Sequence, residues 1–104
     1  MPMPLSYLHF DRSETDDGVS VFEAMASTRA AQQGAVRAEV QQVLDWATRS
    51  FPAGPGPLED GQDWDCDLHV QDEAGGWRTV TLTLTGLAAF AEAFVQAFGE
   101  PAED

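Results

Sequence analysis

Three aspartates alternate along one short stretch of the chain, with the spacing that opens a calcium-binding loop. They are Asp63, Asp65 and Asp67. Such a loop also needs glycine at its sixth position and a carboxylate at its twelfth, where this chain has Leu68 and Ala74. On a strand, alternate residues lie about 7 Å apart, so three such side chains do not converge on one ion. We therefore predict a solvated acidic face, which His69 extends, and no metal site.

Two histidines and one cysteine are the other side chains with catalytic potential. His9 and His69 fall on polar strand faces and could act as acid and base only within hydrogen-bond reach of each other or of a carboxylate. Their spacing does not establish that contact, so we expect exposed histidines without partners. Cys66 shares the strand phase of Trp64 and Leu68, and it lacks the positive neighbour that activates a thiol. We predict no catalytic residue and no cofactor, which favours a protein without enzymatic activity.

The strongest local pattern is a hairpin over residues 63–85. Trp64, Cys66, Leu68 and Val70 alternate with polar residues, and after Ala74-Gly75-Gly76 three further apolar residues alternate with threonines. Alternation on both arms of a Gly-Gly turn is typical of two strands with one buried and one polar face.

A first hairpin is predicted over residues 5–26, around the turn Asp17-Gly18. A rival interpretation exists, because Ser20-x-x-Glu23 fits a capping box that would begin a helix at Val21. The β-branched Val19 and Val21 favour the strand.

Two helices follow the hairpins. Apolar residues recur at three- and four-residue intervals over 28–50, where Ser27 or Thr28 would cap the helix, and over 86–99, where Thr85 would cap it. Residues 52–62 form a Pro/Gly loop, read as a strap to the next strand, and residues 100–104 a frayed tail. The chain is thus predicted to be a single α+β domain of 104 residues, in the order β-β-α-β-β-α. Its sheet would have four antiparallel strands, with both helices packed on one face.

The amino-acid composition limits the kinds of partner and the cellular compartment that we expect for the protein. The chain has five Arg, no Lys and a total of 18 Asp and Glu residues, which gives a formal net charge of −13. This charge repels nucleic acid and would attract a basic protein. The absence of Lys, Asn and Ile fits a GC-rich bacterial genome. One cysteine, no basic and apolar leader and no apolar stretch of membrane-spanning length indicate a cytoplasmic protein without membrane contact.

The first hairpin carries apolar residues on both faces, although two helices cover only one. Trp46 also lies off the apolar stripe of its helix in this interpretation. Exposed apolar surface marks interfaces, and aromatic residues are favoured there. We therefore predict an interface that includes Tyr7, His9, Phe22 and Trp46, in its simplest form that of a homodimer.

Three functions remain open at this level. The first is a non-catalytic interaction or regulatory module that associates with itself. The second is an acidic inhibitor or immunity-type protein that binds a basic partner, suggested by size and charge alone. The third is a small enzyme or ligand-binding protein that uses His9 and His69.

Overall fold

Two β-hairpins and two helices alternate along the chain in the predicted order. The computed structural model describes residues 5–100 and the backbone of residues 102 and 103. The elements are β1 (Phe10–Glu14), β2 (Ser20–Arg29), α1 (Ala30–Ser50), β3 (Trp64–Glu73), β4 (Trp77–Gly86), α2 (Ala88–Phe98) and a two-residue β5 (Ala102–Glu103). The predicted fold, one α+β domain with a four-stranded antiparallel sheet, is confirmed.

The sheet places the two hairpins side by side, in the strand order β3-β4-β2-β1-β5. The central contact is the antiparallel pairing of β2 with β4, which runs from Ser20 opposite Gly86 to Arg29 opposite Trp77. This ladder decides between strand and helix for β2, because each of its ten residues pairs with β4. The local capping box therefore does not begin a helix.

Both helices begin later than predicted and without the predicted caps. Ser27 and Thr28 remain in β2, where they pair with Thr79 and Arg78. The chain passes directly into α1 at Ala30, with no side-chain hydrogen bond at the cap. Thr85 likewise stays in β4, and α2 begins at Ala88. Sheet pairing takes precedence over capping because a ladder satisfies both backbone groups of each residue, whereas a cap satisfies one donor.

The core lies between the helices and the even-numbered residues of the sheet. Phe22, Leu82 and Leu84 supply the sheet side and are fully buried. The helices bring aliphatic residues and an aromatic cluster centred on Phe90 and Phe94. The odd-numbered residues of β2, β3 and β4 point to the opposite side, here called the outer face, which neither α1 nor α2 covers.

The tail, expected to be frayed, includes a short paired segment. Ala102 and Glu103 align in parallel with Asp11 and Arg12 of β1. Residues 101 and 104 lie outside the described residues. At the other side of the sheet, β3 is an edge strand of ten residues.

Candidate protein interface

The predicted interface residues separate into two groups in the structure. Phe22 is 0% exposed and Trp46 is 8% exposed, both inside a single subunit. Trp46 follows Val43 by three residues and so continues the buried stripe of α1. These two side chains are not available to a partner, which corrects the expectation from the sequence.

Tyr7 and His9 lie in the segment before β1. Tyr7 is half-buried and His9 is exposed. The Glu39 carboxylate of α1 fixes this segment by accepting backbone N–H groups from Ser6 at 2.7 Å, Tyr7 at 3.0 Å and Leu8 at 3.0 Å. The segment is thus anchored to the helix layer of its own subunit.

The histidines do not form an acid–base pair. His69 lies on β3, and His9 directly precedes β1. Because β4 and β2 lie between those strands, three strand spacings of about 14 Å in total separate them. Both side chains are exposed. At this separation the two side chains are beyond hydrogen-bond reach of each other.

The predicted polar face is present. Asp65, Asp67 and His69 point outward from β3, and Asp63 is exposed just before the strand. Within residues 5–100, no group of three His, Cys, Asp or Glu side chains has an arrangement that could hold a metal ion. Cys66 lies on the inner side, half-buried against the core. Burial, and then the charges of Asp65 and Asp67, raise the pKa of the Cys66 thiol.

Apart from Met25 on β2, the large apolar side chains of the sheet that are exposed lie on the second hairpin. Leu68 and Val70 face the helix side of β3, yet they are 47% and 48% exposed. They pair with Leu82 and Val80 of β4. The hairpin therefore extends beyond the area that the helices cover, and its apolar side continues into solvent. We call Leu68, Val70 and Val80 the apolar patch.

The first turns of α1 explain this incomplete cover. The buried residues of α1 begin only at Val36, because the preceding residues are alanine, glutamine and glycine. Between this half of the helix and the patch lies a cavity of about 100 Å³. Its lining comprises Thr28, Gln33, Val36, Arg37, Val40, Leu68, Val70, Arg78 and Val80.

An ion pair borders the patch. Arg78 donates from Nε to Asp72 Oδ1 at 2.6 Å and from Nη2 to Asp72 Oδ2 at 3.3 Å. The hydrogen bond from Arg78 holds the pKa of the Asp72 carboxyl below its usual value. The pair lies across the β3–β4 ladder, so it fixes both side chains at the turn end of the patch.

Comparison of the chain with protein-family models, curated proteins and solved structures finds no match. Neither described helix combines the length and the hydropathy needed to cross a membrane.

Among residues 5–100, the backbone of β3 lacks partners along part of the sheet edge that it forms. Leu87 N–H donates to Asp63 C=O at 3.1 Å, so the odd-numbered residues of β3 direct their backbone groups toward β4 and the even-numbered ones toward the edge. Two of the edge-directed groups have partners: Trp64 C=O accepts from Gly56 N–H, and Cys66 N–H donates to the Asp65 side chain. The open section of the edge begins beyond them, at the Cys66 carbonyl and Leu68.

Sequence reasoning placed Leu68 and Val70 in the covered core and so missed this surface. The sequence of α1, rather than that of β3, contains the feature that would have predicted this exposure. The large apolar residues of α1 begin six residues after its start, so that helix cannot cover the full length of the ten-residue strand β3. Two other concavities are less specific. One is lined by α1 alone, and the other, between β1 and α2, has Arg12, Glu92 and Glu100 in its lining.

Proposed function

We propose that the protein is a non-catalytic interaction module that associates with itself through the edge of β3. The observation that carries the proposal is the half-exposed pair Leu68 and Val70 on a strand whose outer edge is open. Exposed apolar groups and unpaired strand backbone both favour association, and here they coincide.

Strand addition satisfies both features at once. A strand that pairs with β3 supplies backbone partners at Leu68 and Val70, and its own inward side chains extend the apolar patch. Trp64 and Cys66 keep their existing backbone contacts at the other end of the strand. The contact is therefore restricted to the distal part of β3, which favours a small and reversible interface.

Sedimentation velocity from roughly 1 μM to 1 mM, the range in which small interfaces dissociate, tests the proposal. We expect a dimer that forms as concentration rises. Leu68→Lys should abolish it, because the substitution places a charge in the patch. Met25→Lys is the matched control, since Met25 is 59% exposed but lies on the outer face of β2.

A loss of association in Leu68→Lys can be distinguished from a loss of folding. Because Leu68 is already half-exposed within one chain, a lysine there is compatible with the fold. Circular dichroism should confirm that both variants fold. A wild-type chain that remains monomeric at the highest concentration would overturn the proposal, as would equal loss of association in the two variants.

A second candidate is an acidic protein that binds a basic partner. It is supported by the uncovered outer face, where Asp65, Asp67 and Glu73 lie on β3 and Glu23 lies on β2, on the other side of β4. Complementary charge steers such partners together. Proteins recovered on the immobilised chain should be basic and should elute with salt, and Asp65→Asn/Asp67→Asn should recover less of them. Recovery that is insensitive to salt and to these substitutions would exclude this function.

A further inference from the structure

We propose that the cavity between α1 and the second hairpin binds a small carboxylate that has a short aliphatic tail. The cavity has a volume of about 100 Å³. It lies between the helix and the inner side of the sheet, whereas the proposed self-association uses the backbone edge of β3. The site therefore does not depend on that association.

The sheet wall of the cavity changes from polar to apolar along the strands. At the turn end of the second hairpin, Thr28 of β2 pairs with Arg78 of β4, and both side chains line the cavity. Toward the core, the lining continues with the apolar patch. A ligand with one polar and one apolar end matches this order, and its tail would cover part of the exposed surface of the patch.

The helix wall also has a polar and an apolar part. Gln33 and Arg37 are one turn apart on α1, as are Val36 and Val40, so all four lie on the side of the helix that faces the cavity. The two valines are buried, whereas Arg37 is exposed and Gln33 partly exposed. The polar groups of the helix wall are therefore on the solvent side, where the charged end of a ligand keeps its contact with water.

Charge favours an anion at this mouth. The lining includes two of the five arginines of the chain and no carboxylate. In the two other concavities, an arginine shares the lining with carboxylates. In a protein with a net charge of −13, the cavity is thus a place of locally positive charge, which attracts anions.

Both arginines have N–H groups available to a ligand. Asp72 accepts from Nε and Nη2 of Arg78 and so holds that side chain in place. Within residues 5–100, Nη1 of Arg78 and the guanidinium of Arg37 have no hydrogen-bond or ion-pair partner. The planar guanidinium group matches the two oxygens of a carboxylate. Arg37, which has no carboxylate partner among these residues, is therefore expected to contribute most to binding.

The size of the cavity limits the length of the tail. Benzene, with six carbons, fills an apolar cavity of about 150 Å³. A cavity of about 100 Å³ therefore accommodates a tail of about four carbons by the same measure. Pentanoate has a tail of this length, whereas a peptide segment is too large for the cavity. The expected ligand class is thus the short-chain alkyl carboxylates.

An NMR titration of the backbone amides with acetate, propanoate, butanoate, pentanoate and hexanoate, at constant ionic strength, tests the site. Affinity should rise by about fourfold for each added methylene up to pentanoate and then stop rising. The amides of Val36, Val70 and Val80 should shift most. Pentanol, which lacks the charge, should bind at least roughly tenfold more weakly than pentanoate, the loss expected for a hydrogen bond to a charged group.

Substitutions separate the head from the tail. Arg37→Gln should weaken pentanoate binding by roughly tenfold and leave pentanol binding unchanged. Arg49→Gln removes the same charge from an exposed position of α1 outside the cavity and is the matched control. Val70→Phe should fill the space of the tail and remove the dependence on chain length. Val70 is already half-exposed, so the larger side chain is compatible with the fold. Val21→Phe, on the outer face of β2, is its control.

Equal affinities for acetate and pentanoate would overturn the site, because they indicate an anion on the surface only. Equal affinities for pentanoate and pentanol would overturn the anionic class of the ligand, as would equal effects of Arg37→Gln and Arg49→Gln. Shifts that do not saturate, or that lie away from the cavity, would also contradict it. A chain that remains monomeric in sedimentation but binds pentanoate with the expected pattern would overturn the proposed function and leave this site established.

Discussion

The indole ring of Trp64 stacks on the phenyl ring of Phe90, with the ring centroids 5.6 Å apart and the planes 8° apart. This contact joins the first residue of β3 to α2. Gly86 pairs with Trp64 in the sheet and lies directly beneath Phe90. A Cβ atom on Gly86 would overlap Phe90 Cδ2 and approach Phe90 Cγ to 2.6 Å.

Gly86→Ala should therefore destabilise the protein by roughly 1–3 kcal/mol, the usual cost of overpacking a core. Phe90 has little freedom to move, because Trp46, Phe51 and Trp64 pack around it. Chemical denaturation would measure the change. Gly34→Ala is the matched control, since nothing lies within 4 Å of its Cβ position in α1. It should stabilise the protein by about 0.5–1 kcal/mol through helix propensity, and equal effects of the two substitutions would contradict the packing argument.

Glu39→Gln should loosen the segment before β1. The carboxylate accepts three backbone N–H groups, from Ser6, Tyr7 and Leu8, and an amide replaces one acceptor oxygen with a donor. We expect a loss of about 1–3 kcal/mol, the range for hydrogen bonds to a charged group. Hydrogen exchange at residues 6–8 should accelerate more than exchange in β4. Glu92→Gln, at an exposed position of α2, should leave that exchange unchanged.

Trp46→Ala should cost about 3–5 kcal/mol, the range for removal of a large buried aromatic side chain. Its ring contacts Phe90, Phe94 and Phe98 with centroid distances of 5.7, 6.0 and 5.1 Å. Leu87→Ala, at an exposed position, should cost less than about 1 kcal/mol. The milder Trp46→Phe should leave the proposed self-association unaltered, and a large change in that association would show that Trp46 acts at an interface after all.

The Cys66 thiol should react slowly with iodoacetamide at pH 8, because burial and the charges of Asp65 and Asp67 raise its pKa and reduce the thiolate fraction. Asp67→Asn should accelerate the reaction by removing one of those charges. Asp17→Asn, in the turn between β1 and β2, is the control. The reaction is best followed at low protein concentration, where the proposed self-association would interfere least, and an unchanged rate in Asp67→Asn would contradict this cause.

The raised pKa of Cys66 also sets a direction for stability against pH. In the folded state the thiol retains its proton to higher pH than in the unfolded chain. Its contribution is therefore constant below the unfolded pKa and decreases as the pH rises through that value toward the folded pKa. Cys66→Ser should flatten the decline in unfolding free energy at alkaline pH, and the same slope in both proteins would contradict the assignment.

The local sequence pattern was sufficient to predict the order of the elements and to predict which strand residues lie on the outer face. Alternation over residues 63–85 predicted β3 and β4 within one residue of their observed ends, because each strand has one apolar and one polar side. The same phase placed Asp65, Asp67 and His69 correctly on the solvent side. These features depend on periodicity, which is a property of the sequence alone.

Which apolar residues are covered was decided by tertiary structure. Trp46 and Phe22 are buried because α2 brings its phenylalanines over them, whereas Leu68 and Val70 remain half-exposed because the first half of α1 does not reach over them. The hydrophobic pattern of a sequence indicates which side of a helix or strand is apolar. Burial depends instead on the length and placement of the element that packs against it, and those are set only when the whole sheet has assembled.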